Sequence, residues 1–227
     1  MLVSCESRDD KFSRLTIDVY ANKISSIFGN IAESKAEEEI LAQPNLNDFY
    51  NVYVTKVEEF INELNLEKIS PLYMPYKDSL LLSAEGLNCY LDYRKDAVAY
   101  MTRALSIYET AVKSKSDCEE YVILKNASFS ESNYYAGLIR KCLEEYKAKT
   151  LEFNTSKNSY LKNIQRMDSI YLLIDSIAGE YNHRVIESKL EEKITVPLAF
   201  RDTINDWLIS SQSYLLELTV PSIELSY

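Results

Sequence analysis

The sequence predicts an all-α fold: an elongated antiparallel bundle of about six helices, three of them long. Three observations predict it. Apolar residues recur at spacings of three and four along nearly the whole chain. Only four Gly and five Pro occur among 227 residues, so few turns are available and the elements must be long. Ala, Leu, Ile, Glu, Lys and Ser dominate the middle of the chain, a composition that suits helices.

The elements follow in order. A first helix is expected from about Asp9 to Leu41, with Phe12, Leu15, Val19, Ile24, Ile27, Phe28 and Ile31 on one face. Pro44 ends it, and Asn45 or Asn47 can cap a second, shorter helix built on Leu46, Phe49, Tyr53, Val57, Phe60 and Leu64. Pro71 and Pro75 then force the main break, because two prolines four apart cannot sit inside a regular helix.

The third helix carries a heptad seam of Ala84, Leu87, Leu91, Arg94, Val98, Met101, Leu105, Tyr108 and Val112. Ser116-Asp-Cys-Glu119 reads as a capping box, which places a turn there and opens a fourth helix. Its face is Tyr121, Leu124, Ser128, Tyr135, Leu138, Cys142 and Tyr146. The polar stretch Asn154-Thr-Ser-Lys-Asn158 supplies the next turn. A fifth helix follows on Tyr160, Ile164, Met167, Tyr171, Ile174, Ala178, Tyr181 and Val185. Pro197 begins a sixth, with Phe200, Ile204, Trp207, Leu208, Leu215 and Leu218 on its face, and Pro221 stops it. The organisation expected is a tether at 1–8, a single helical domain at 9–220 and a tail at 221–227.

A net charge of −10 and a pI near 4.8 repel a phosphate backbone, so no nucleic-acid partner is expected. No run of about 18 apolar residues occurs, so no segment is expected to span a bilayer. The four cysteines, Cys5, Cys89, Cys118 and Cys142, include no Cys-x-x-Cys pair, which leaves a zinc or redox centre without support. His183 is the one histidine. Glu180-x-x-His183 is half of a di-metal motif, but the site needs a second histidine. No Gly-rich phosphate loop occurs. No catalytic residue, metal ligand set or cofactor is therefore expected.

One position breaks the seam of the third helix: Arg94 stands between Leu91 and Val98. A turn near Ser116 would set Arg94 beside Gly137, with Tyr134 and Leu138 flanking it. A second turn near Thr155 would bring the region of Tyr171 and Asp175 alongside. A buried guanidinium calls for a carboxylate, so Asp175 is the expected mate. The candidate ligand pocket is Arg94, Tyr134, Tyr171 and Asp175. The competing reading is an arginine whose stem packs while its head reaches water. The same levelling sets Cys89 opposite Cys142, either as a disulfide or as a reduced contact.

The N-terminus carries the remaining signal. Leu2-Val3-Ser4-Cys5 resembles the lipobox of bacterial lipoproteins, and Glu6-Ser-Arg-Asp-Asp10 resembles the polar tether that follows it. The resemblance implies diacylglycerol on the Cys5 thiol, loss of Met1 to Ser4, and a cell-envelope location. The basic and apolar regions of a signal peptide are not present before Cys5, so either the start lies upstream of Met1 or the match is accidental. The resemblance covers about ten residues and specifies processing, not fold or activity. The function expected is that of a non-enzymatic, lipoprotein-like envelope protein, a binding or structural module for a protein or small ligand. It would touch a membrane only through the lipid on Cys5. The alternative is a cytoplasmic helical adaptor or assembly protein that forms homo-oligomers through its seams.

Overall fold

The apolar seam runs on through two of the polar stretches that interrupt it, and this decides the architecture. The computed structural model describes residues 7–33, 46–128 and 130–197. Among the described residues there are four helices and no strand: α1 (Arg8–Glu33), α2 (Leu46–Leu66), α3 (Met74–Ala127) and α4 (Ser132–Glu187). The all-α class therefore holds, and where five helices were expected over the described residues there are four. The expected sixth helix beyond Pro197 lies outside the described residues.

The correction concerns turns. No turn exists at Ser116–Glu119 or at Asn154–Asn158; both stretches are helical. At the first, Ala104, Ala111 and Cys118 are buried at heptad spacing, so the helix has a continuous face to pack and no reason to stop. At the second, Phe153, Ser156 and Tyr160 are buried and the polar residues occupy the outer face. Thr150 and Thr155 donate their hydroxyls to the carbonyls of Tyr146 and Leu151, at 2.9 and 2.8 Å. Hydroxyls bonded back into the helix cap nothing. The turn that does occur is at 128–131, where the Ser128 amide closes on the Leu124 carbonyl and that of Tyr135 on the Glu131 carbonyl.

The described residues fall into two compact units, both of which draw on α3 and α4. In the first, residues 74–95 of α3 and 164–187 of α4 combine with α1 and α2. Its core holds Ile17, Ile24 and Phe28 of α1, Phe60 and Leu64 of α2, Leu80, Leu87 and Leu91 of α3, and Ile174 and Tyr181 of α4. Tyr20 meets Phe60 edge to face at 5.5 Å, and Tyr76 meets Tyr181 likewise at 5.7 Å. Gly86 lets α3 and α4 approach: a Cβ there would stand 2.9 Å from Cγ1 of Ile174.

Local chemistry fixes the ends of these helices. Ser7 accepts from the Asp10 amide at 3.0 Å and donates to the Asp10 carboxylate at 2.7 Å, a variant of the capping box. The neighbouring hydroxyls of Ser70 and then Ser7 hold the Asp10 carboxyl below its ordinary pKa. The buried Lys77 ammonium donates to the carbonyls of Asn65 and Glu67, at 3.3 and 2.9 Å, and closes the C-terminus of α2. Pro75 sits in the first turn of α3, where its missing N–H costs nothing.

The described part of the second unit pairs residues 96–127 of α3 with 132–163 of α4. Met101, Ala104, Ile107 and Ala111 pack with Tyr146, Phe153 and Tyr160 in its core. Arg103 and Glu152 form an ion pair at 2.7 Å on its surface. Cys118 and Cys142 form a disulfide, with Cα atoms 5.7 Å apart. The expected opposition of Cys89 and Cys142 is thus corrected: Cys142 is bonded to Cys118, and Cys89 is a free, exposed thiol. The reason is again the single turn at 128–131, which brings residues 118 and 142 level.

Candidate functional site

The pocket residues expected from the sequence are placed as follows. Arg94 is buried, at 3% exposure, so its head does not reach water. Burial pulls its pKa down to about 9. Tyr171 is also buried. Asp175 is exposed. Ile174 is level with Gly86, so Asp175 is set about 13 Å, or two and a half turns, along the helix from the level of Arg94. It is therefore not the mate of Arg94. Tyr134 belongs to the second unit, two residues into α4, and is exposed there against Tyr135. The four residues do not form one cluster. What stands near the level of Arg94 is Arg166, whose guanidinium lies 5.2 Å from the Tyr93 ring. Glu180 pairs with Arg184 at 3.4 Å, and His183 is exposed. Among the described residues no group of three or more His, Cys, Asp or Glu is placed to hold a metal ion. No helix among them is long and apolar enough to cross a membrane. Cys5 lies outside the described residues.

Two features of the first unit stand out instead. The first is a groove of about 570 Å³ lined by residues of α1 and α2. Val19 and Ile27 give it an apolar floor, and Asn22, Asn30, Lys56 and Glu59 give it a polar rim. Lys23 and Glu63 form an ion pair between the same two helices, and the Tyr53 hydroxyl donates to the Asn30 carbonyl at 3.4 Å. The mixed lining suits a polar ligand or peptide side chain held by hydrogen bonds, with little apolar area to bury.

The second is an extended segment, 188–197, which follows α4 and is laid along α1 and α4. Leu190 and Ile194 are buried. Side chains take the place of a neighbouring strand. The Asp18 carboxylate accepts from the amides of Glu191 and Glu192, at 2.9 and 3.0 Å. Asn182 accepts from the Ile194 amide at 2.9 Å and donates to its carbonyl at 2.8 Å. Ser25 accepts from the Thr195 amide at 2.9 Å. Sequence reasoning passed over all three. The signal was there in Asp18, a carboxylate inside the apolar face of Ile17, Tyr20 and Ala21.

Two hydrogen bonds to one ionised acceptor are worth about 2 kcal/mol together once solvation of the freed amides is allowed for. Asp18→Ala should therefore speed hydrogen exchange at Glu191 and Glu192 by roughly thirtyfold, while amides of the α3 core keep their rates. Unchanged exchange at these two amides would show that the Asp18 bonds add nothing to the hold of Asn182, Ser25, Leu190 and Ile194 on the segment.

The chain matches no protein-family model, no curated protein and no solved structure.

Proposed function

We propose that this chain is a non-enzymatic, lipid-anchored cell-envelope protein, whose helical units present a surface to a protein or small ligand. The observation that carries the reading is the Cys118–Cys142 disulfide. Disulfides persist in oxidising compartments and are rare in a reducing cytosol. That agrees with the compartment implied by Leu2-Val3-Ser4-Cys5. The groove along α1 and α2, with its polar rim, supports the binding part of the reading. The experiment is an intact mass and a non-reducing peptide map of the protein taken from the membrane fraction of its own cells. The expected result is a chain beginning at Cys5 with a diacylglycerol thioether, a Cys118–Cys142 cross-linked peptide, and a free thiol on Cys89. A chain that retains Met1 and a free Cys5 thiol would overturn it.

The second reading is a cytoplasmic adaptor or assembly protein that self-associates. The exposed pair Leu172 and Leu173 on α4 favours it. It requires Cys118 and Cys142 to be reduced in the cell and a stable oligomer in light scattering.

A further inference from the structure

We infer that the end of the first unit where α1 begins, α2 meets α3 and α4 finishes is a lipid-contacting tip, lying against the bilayer surface beside the anchor. The inference rests on the reading of Cys5 as the anchored residue.

Hydrogen bonds bring these chain segments together at one end. The Ser70 amide donates to Ser13 of α1 at 2.9 Å. The Tyr76 hydroxyl, in the first turn of α3, donates to the carbonyl of Arg184 near the end of α4 at 3.1 Å. The Lys77 ammonium holds the last carbonyls of α2. On this end the protein exposes side chains that ordinarily avoid water. Leu66 is 84% exposed, Leu72 64% and Ile186 73%, with Phe12 and Met74 also open. Leu66, the last residue of α2, and Leu72, in the link to α3, thus stand open on either side of Pro71.

Three arguments select lipid as the occupant. Cys5 precedes Ser7 by two residues, a span of at most ~7 Å. A lipid on Cys5 therefore holds this end of the unit at the interface. Second, the local charge departs from that of the chain. Residues 6–15, 66–78 and 183–190 carry seven Lys and Arg against six Asp and Glu, close to neutral in a protein of net charge −10. The end next to the anchor is spared the repulsion from anionic headgroups that the rest of the chain would feel. Third, the exposed residues are aliphatic or aromatic tips carried on a link and on helix ends, with Lys11, Lys68 and Lys189 nearby. That is the pattern of shallow interfacial insertion, with apolar tips in the acyl boundary and cations among the headgroups. Because two acyl chains already give stable anchoring, the tip sets how the first unit stands on the membrane.

The test uses the full chain with Cys89→Ser, coupled through Cys5 to a maleimide phospholipid. The vesicles contain phosphatidylcholine, phosphatidylglycerol and a phosphatidylcholine with a diazirine in its acyl tail. Coupling replaces cellular acylation, so the readout stands apart from the mass measurement that tests the anchor itself. After irradiation, lipid adducts are expected to concentrate on the peptide spanning Leu66 to Met74. They should fall about tenfold in Leu66→Asp/Leu72→Asp, the factor expected when burial of a leucine is lost, and by a smaller factor in the milder Leu72→Ser. Adducts no denser there than around the exposed Ile123 and Leu151 of the second unit would overturn the inference. So would labelling that survives both variants. Labelling of the tip that appears only when coupled chains are diluted would mean that a second copy covers it, and would also overturn the inference.

Discussion

Reduction of the Cys118–Cys142 bond is expected to destabilise the second unit by about 3 kcal/mol, the loop-closure value for a cross-link of this span. The two cysteines are separated by 24 residues and enclose the turn at 128–131. In the described part of this unit two helices face each other, and several seam positions are small: Ala97, Ala104 and Ala111. Alanine buries little apolar area, so a cross-link that shortens the unfolded ensemble matters more here than in the first unit, with its larger side chains. Amide exchange along residues 132–150 should accelerate roughly a hundredfold in reductant, or in Cys118→Ser/Cys142→Ser. Amides of Leu80, Leu87 and Leu91 in the first unit should keep their protection. Equal exchange in oxidised and reduced protein would show that the seam alone holds the hairpin. Equal acceleration in both units would show that they unfold as one.

The helical class and much of the core were legible in the sequence, and the turns were not; on the first helix Phe12, Leu15 and Val19, expected on the apolar face, are exposed, and Ile17, Tyr20 and Ala21 are buried instead. Ala84, Leu87, Leu91, Arg94, Val98 and Met101 are all buried, as the heptad spacing predicts. Past Met101 the buried face moves to Ala104, Ile107, Ala111 and Cys118, while Val112 is exposed. Large apolar residues drew the seam one way; the small ones, which allow the helices to close, carry it the other. Three polar stretches competed for the turns: 116–119, 126–133 and 154–158. A capping box is a local signal worth about 1 kcal/mol, and a continued seam outweighs it. Only at Asn126-Ala-Ser-Phe-Ser-Glu-Ser-Asn133 does the apolar pattern thin out enough for a polar turn to win. Register across a hairpin follows from the position of its turn. Every cross-helix pairing expected from a turn at Ser116 was therefore displaced, including Arg94 with Asp175 and Cys89 with Cys142. Asp18 stood out as a carboxylate in an apolar face, but what it and Ser25 grip was illegible for another reason: their partners lie about 170 positions away, and no periodicity records such a contact.

Arg94→Met should raise stability, because it removes the cost of burying a guanidinium while an apolar side chain of similar length keeps the packing. The guanidinium is buried, and removal from water is what pulls its pKa down to about 9. A lowered pKa in a cation means that the folded state disfavours the charged form that the unfolded chain carries freely. The sign follows from proton counts. Below pH 9 Arg94 is protonated in both states and the penalty is present in full. Between about 9 and arginine's ordinary value, the unfolded chain binds more protons than the folded one, so stability rises with pH. The variant has no such dependence. Its advantage over the parent in urea unfolding should be constant from pH 6 to 8 and shrink above about pH 9. Lysine and tyrosine titrations are common to both proteins and cancel in the difference. An advantage that does not vary with pH would assign the gain to packing among Tyr90, Leu91 and Val98, and a loss of stability would show that the contacts of Arg94 outweigh its desolvation.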